Sequence, residues 1–178
     1  KNITSSEFVS LDLESDSFTH SYHSDKALDK IYLIPNKNAD KYELNGIVLE
    51  KDAPGLMYSN IGVNGAKFSD YNKYPLFFEQ LKALHPDLLI FSLGTNESYD
   101  HMEAAAYISE LRKFISNIKA QNIEVPIIVM TPPPSLLKAR KPNVYVRDYA
   151  KAIIEAAQTD GFAVWDLYNE FGGFDGIR

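Results

Sequence analysis

The sequence contains no cysteine. Disulfide scaffolds, cysteine-ligated zinc, cysteine nucleophiles and iron–sulfur clusters are therefore excluded, while the compartment is left open. Long apolar runs are also missing. The longest, at 88–91 and 126–130, fall far short of the ~20 residues a membrane-crossing helix needs, so no membrane insertion is expected. Basic blocks are absent as well. Lys and Arg number 18 against 24 Asp and Glu, a net charge of −6, which speaks against a nucleic-acid partner. What remains is a chain of 178 residues, 45% hydrophobic and 24% charged. That is the mix of a globular protein, with length for one domain or one domain and part of another. Eleven Tyr and ten Phe supply large side chains for a core.

Two patterns divide the chain. Residues 7–13, 30–34 and 42–50 alternate polar and apolar, and Asn45-Gly46 within the last run fits a tight turn or bulge. This predicts antiparallel β structure over 1–54. After Asp52-Ala53-Pro54-Gly55, strand and helix signals alternate. Strands are predicted at 56–61, 87–93, 125–130 and 162–167, and helices at 75–84, 103–121 and 144–159. The long helix has Tyr107, Ile108, Leu111, Phe114, Ile115 and Ile118 at i, i+3, i+4 spacing, and the last has Val146, Tyr149, Ala150, Ile153, Ile154 and Ala157. The fold class read from this is α/β: a three-layer α/β/α parallel sheet over 55–178, with an antiparallel β-rich N-terminal segment.

In such a sheet, ligands bind at the carboxyl ends of the strands. The first predicted strand runs into Gly62-Val63-Asn64-Gly65-Ala66, the second into Gly94-Thr95-Asn96-Glu97, the third into Thr131-Pro132-Pro133 and the last into Asp166-Leu167-Tyr168. Each has an ordinary reading. Gly62 and Gly65 suit a plain turn between strand and helix, Asn96 a cap, Asp166 a turn former, and Glu97 a solvated loop acid. Together, a backbone N–H near Gly65 and the side-chain amide of Asn96 are the two neutral donors that a developing oxyanion needs.

Gly62-Val63-Asn64-Gly65-Ala66, followed by Ser92-Leu93-Gly94-Thr95-Asn96-Glu97, resembles blocks II and III of the SGNH, or GDSL-like, hydrolases. The resemblance covers roughly 55–178. It implies a serine esterase without metal or organic cofactor, with Gly65 and Asn96 in the oxyanion hole and Asn64 and Glu97 beside the substrate. Gly62 remains the alternative to Gly65. A narrower resemblance is to the branch with peptidoglycan O-acetylesterases, in which a β-sandwich like a carbohydrate-binding module is inserted before block II. Residues 1–54 would be the tail of that insert and 55–178 a partial hydrolase core. The implied substrate is an O-acetylated carbohydrate, and the implied location is the periplasm or surface of a bacterium. Tyr58, Tyr99 and Tyr168 are candidates for stacking on sugar rings at the rim.

Two motifs of the family are missing. No Gly-Asp-Ser tripeptide occurs, and Asp175 is followed three residues later by Arg178 rather than His. His20, His23, His85 and His101 fit neither motif, and His101 is the one close to the Asn96 loop. A longer polypeptide is therefore expected, with a missing strand between those at 56–61 and 88–93 and with the remaining segments as partners of this one. Two alternatives stay open: a non-catalytic carbohydrate-binding or assembly protein on a degenerate SGNH core, and a flavodoxin-like module with phosphate at 62–65.

Overall fold

A computed structural model of the chain describes residues 20–35, 38, 40–51, 53–138 and 140–177, in two units that divide between Leu56 and Met57. The described residues of the first unit contain no helix and no strand. The antiparallel β structure expected over 1–54 is thus not found among them, and its part on 1–19 lies outside the described residues. Alternation specifies a strand when one face becomes buried. Here Ile31, Leu33, Leu44 and Ile47 all stay about half exposed, so neither set of alternating side chains is covered.

The second unit is built on three parallel strands, β1 (Leu89–Phe91), β2 (Ile127–Met130) and β5 (Ala163–Trp165), in the order β1-β2-β5. Register places Phe91 beside Val129 and Val129 beside Val164. Between the strands lie α4 (Ala104–Lys119) and α5 (Val144–Asp160), each the crossover that a parallel pair requires. The predicted stripe of α4 is buried from Tyr107 to Ile118. On α5, Val146, Tyr149, Ala150, Ile153 and Ala156 are buried, but Ile154 is exposed. Gly161 ends α5 at φ +76°, in the left-handed conformation that glycine adopts without Cβ strain.

Two short helices, α1 (Phe68–Tyr71) and α2 (Pro75–Leu81), precede β1. Phe68 anchors α1 in the core, with its ring centroid 5.3 Å from Phe114, 5.7 Å from Tyr107 and 6.2 Å from Phe91. Aromatic pairs at these tilted and edge-on geometries add to simple area burial. The first predicted strand does not form. Residues 56–61 pair with no strand among the described residues, and Leu56 is 92% exposed. A strand exists only with a ladder partner, and the outer edge of β1 has none among the described residues.

The sheet faces are unequal. Leu89, Phe91, Ile127, Val129 and Val164 join the buried cluster formed with α1, α2, α4 and α5. On the alternate positions, Ile90 is 47% and Trp165 46% exposed. The described helices of that cluster cover one face, and the second helical layer of the expected three-layer sandwich is not among the described elements. No helix among the described residues is long and apolar enough to cross a membrane.

Candidate functional site

Val63 to Ala66 form a β-turn, closed by the Ala66 N–H donating to the Val63 carbonyl at 3.0 Å. Gly65 holds its third position at φ +82°. A type II turn demands this conformation there, and glycine supplies it without strain. Gly62 does not require a positive φ, so Gly65 is the glycine that the backbone needs. Its residue is exposed, and its N–H has no hydrogen-bond partner among the described residues.

Thirty residues on, β1 passes through Gly94 into the short helix α3 (Thr95–Tyr99). Gly94 lies at φ +123°, and a Cβ built there would stand 3.1 Å from Pro132 Cγ and 3.2 Å from the Tyr107 hydroxyl. That hydroxyl donates to the Leu93 carbonyl at 3.1 Å, so it cannot simply withdraw. Gly94→Ala is expected to cost about 1–3 kcal/mol from backbone strain and overpacking, measured as a lowered urea midpoint. An unchanged midpoint would mean that the β1–α3 bend relaxes freely.

Two side chains join this bend to the Gly65 turn. Asn96 Nδ2 donates to the Ala66 carbonyl at 2.8 Å. An amide nitrogen has two hydrogens, so a second remains for an acceptor beside the turn. Glu97, only 1% exposed, accepts from the Phe68 N–H at 2.9 Å and the Gly94 N–H at 3.0 Å, one through each carboxylate oxygen. The sequence left Glu97 as a loop acid or a substrate contact. In the structure it is enclosed, and it holds the segment after the turn against the start of α3. Asn64 is exposed at the second position of the turn. Lys67 Nζ pairs with the Asp100 carboxylate, a further tie between the two segments, and this hydrogen bond raises the Lys67 pKa.

Burial raises the Glu97 pKa above its ordinary 4.5, against the opposing effect of the two N–H donors. The sign for stability follows. A folded state that holds a proton more tightly than the unfolded chain gains stability as pH falls. Glu97 therefore contributes a loss of stability as pH rises from about 4.5 through its folded value. Asp160 is held below 3.8 by the Arg112 guanidinium, so its contribution is present above 3.8 and disappears below it. Urea unfolding of wild type and Glu97→Gln between pH 4.5 and 7 separates the two effects. The Glu97 slope should vanish in the variant, and parallel curves would contradict the assignment.

The ends of β2 and β5 are tied as well. Thr131 Oγ1 donates to Asp166 Oδ1 at 3.1 Å and accepts from the Tyr168 N–H at 2.8 Å. Asp166 also caps α6 (Leu167–Glu170) by accepting from the Asn169 N–H. Of the three candidate rim tyrosines, Tyr58 and Tyr99 are exposed. Tyr168 is not at a rim: it is buried, with its ring 5.6 Å from Phe174 and edge-on to it. His101 packs on Tyr145 at 5.1 Å. Among the described residues, no group of three or more His, Asp or Glu is placed to hold a metal ion.

The structure thus ties the segment that follows the Gly65 turn, through the Ala66 carbonyl and the Phe68 N–H, to Asn96 and Glu97 of α3. The sequence reading missed the inward role of Glu97, the Lys67–Asp100 pair and the antiparallel pairing of Leu136–Leu137 with Lys141–Pro142 after β2. The signal for Glu97 was its place three residues after Gly94, where an acid can reach back to the entry of a helix. The family model described as GDSL-like lipase/acylhydrolase matches residues 16–176. No curated protein and no solved structure matches the chain.

Proposed function

The chain belongs to the GDSL-like lipase/acylhydrolase family, and on that premise we propose that it is the oxyanion-binding part of an SGNH-type esterase that removes O-acetyl groups from carbohydrate. The observation that carries this reading is the Gly65 turn bound to Asn96 through the Ala66 carbonyl. In this reading the Gly65 N–H, which has no partner among the described residues, and the second amide hydrogen of Asn96 are the two donors. In the reaction, a serine oxygen attacks the ester carbonyl while its proton passes to a histidine. The carbonyl oxygen becomes an oxyanion and accepts from Gly65 N–H and Asn96 Nδ2. Collapse expels the sugar hydroxyl, protonated by the same histidine, and water then releases acetate from the serine.

The serine and histidine come from other segments of the same polypeptide. One of these runs along the outer edge of β1 and completes the sheet. The outer edge of β1, which pairs with no strand among the described residues, supports this. The acetylated-glycan reading rests on the resemblance to the O-acetylesterase branch and on the short segments at 60–66 and 94–99. None of these is rich in Leu, Ile or Phe, as a channel for a long acyl chain would be. A bacterial periplasmic or surface location belongs to the same reading. The missing Gly-Asp-Ser tripeptide favours one alternative, a non-catalytic carbohydrate-binding protein on a degenerate core.

The test uses the full-length protein on acetylated glycan and on p-nitrophenyl esters of rising chain length. Acetate release from the glycan and a preference for short acyl chains are expected. Preference for acyl chains of about eight carbons or more, with no acetate from the glycan, would replace this reading with a lipase. No turnover of any ester would favour the non-catalytic alternative.

A further inference from the structure

After β2 the chain forms a small antiparallel hairpin, β3 (Leu136–Leu137) and β4 (Lys141–Pro142). Residues 131–147 contain Lys138, Arg140, Lys141 and Arg147 and no Asp or Glu, in a chain of net charge −6. Arg147 is paired with Asp148 at 3.0 Å. Lys138, Arg140 and Lys141 are exposed and have no ion pair among the described residues.

The hairpin's position gives these charges a context. Strands of two residues are too short to hold themselves in place, and this pair is fastened to α3. Asn143, fully buried at its base, donates through Nδ2 to Ser98 Oγ at 2.8 Å and Ser135 Oγ at 3.2 Å. Its N–H donates to the Ser135 carbonyl at 2.9 Å. The Tyr99 hydroxyl reaches the Leu136 carbonyl at 3.4 Å. Ser98 and Tyr99 belong to the helix that carries Asn96, so the three free cations sit on an arm anchored to the candidate site.

We infer that this hairpin is a docking subsite for the carboxylates of an anionic polysaccharide, the polymer that carries the ester. The inference rests on the acylhydrolase reading and narrows its substrate class. An acidic protein repels polyanions over most of its surface, so an isolated basic island concentrates and orients them there. Each exposed contact is weak, but a glycan with a charge on successive sugars engages several at once. Arg140 offers the planar fork that matches a carboxylate. The charge and the ester lie on one chain, so docking the first positions the second.

The test compares full-length wild type with the triple variant Lys138→Ala, Arg140→Ala, Lys141→Ala. The substrates are O-acetylated polygalacturonate, its methyl-esterified uncharged form, and p-nitrophenyl acetate. The variant should show a KM about tenfold higher on the anionic polymer, the size expected of three exposed charge contacts. Its kcat should be unchanged, with no change on the other two substrates. Salt at about 0.5 M should raise the wild-type KM in the same way. An unchanged KM on the anionic polymer, or an equal rise on the uncharged one, would overturn the inference. Failure of both proteins to cleave p-nitrophenyl acetate would count against the acylhydrolase reading instead. Affinity electrophoresis against unacetylated polygalacturonate then reads the hairpin separately, and equal mobility of the two proteins there would overturn the subsite. Stronger retention of wild type by DNA or anionic vesicles than by polygalacturonate, lost in the variant, would overturn it in favour of those partners.

Discussion

Replacing Asn96 with alanine in the full-length enzyme is expected to lower kcat on a small acetyl ester by ~10²–10³-fold, the usual loss for one oxyanion donor. KM should change little, because the amide gains most of its interaction as the carbonyl oxygen acquires charge. Asn96 also donates to the Ala66 carbonyl at 2.8 Å, so the variant loses a tie as well as a donor. Thermal unfolding of the same variant distinguishes the two effects. A modest shift in midpoint with the full loss of turnover assigns the amide to the transition state. Unchanged turnover removes Asn96 from the mechanism.

Glu97→Ala should have the largest effect on stability. The carboxylate is enclosed, and its two oxygens satisfy the Phe68 and Gly94 N–H groups. Truncation leaves two backbone donors without a partner, at about 1–3 kcal/mol each, so a loss of about 2–6 kcal/mol is expected in urea unfolding. Glu97→Gln is the milder change. It retains one carbonyl acceptor but sets an NH2 group against the second N–H, so its loss should fall between wild type and alanine. A Glu97→Ala protein as stable as wild type would show that the joint between the Gly65 turn and α3 is held by other contacts.

The elements legible in the sequence were those whose pattern is set by burial against their own neighbours. The stripes of α4 and α5 and the apolar runs of β1, β2 and β5 appear where periodicity places them, with strand ends trimmed by one or two residues. The misplaced elements depend on a partner that periodicity does not encode. Residues 56–61 have the composition of a strand but pair with nothing among the described residues. Residues 30–34 and 42–50 alternate without a covered face. The short helices α1 and α3 and the β3–β4 hairpin were not predicted, since four or five residues do not establish a period. They are fixed by single contacts: Phe68 in the aromatic cluster, Glu97 on two N–H groups, Asn143 on Ser98. Gly65 and Asn96 were legible as residue types, a turn glycine and an amide after a strand. The inward turn of Glu97 was not, because a loop acid and a buried staple look alike until the backbone donors around it are known.

The most direct measurement is a crystal structure of the full-length enzyme inhibited by a small alkyl phosphonate. Its tetrahedral phosphoryl oxygen stands where the oxyanion of an ester would form. That oxygen should accept from both the Gly65 N–H and Asn96 Nδ2, at ~3 Å from each. A phosphonate bound elsewhere, or one whose oxygen is held by neither group, would contradict the assignment of Gly65 and Asn96 as the oxyanion hole.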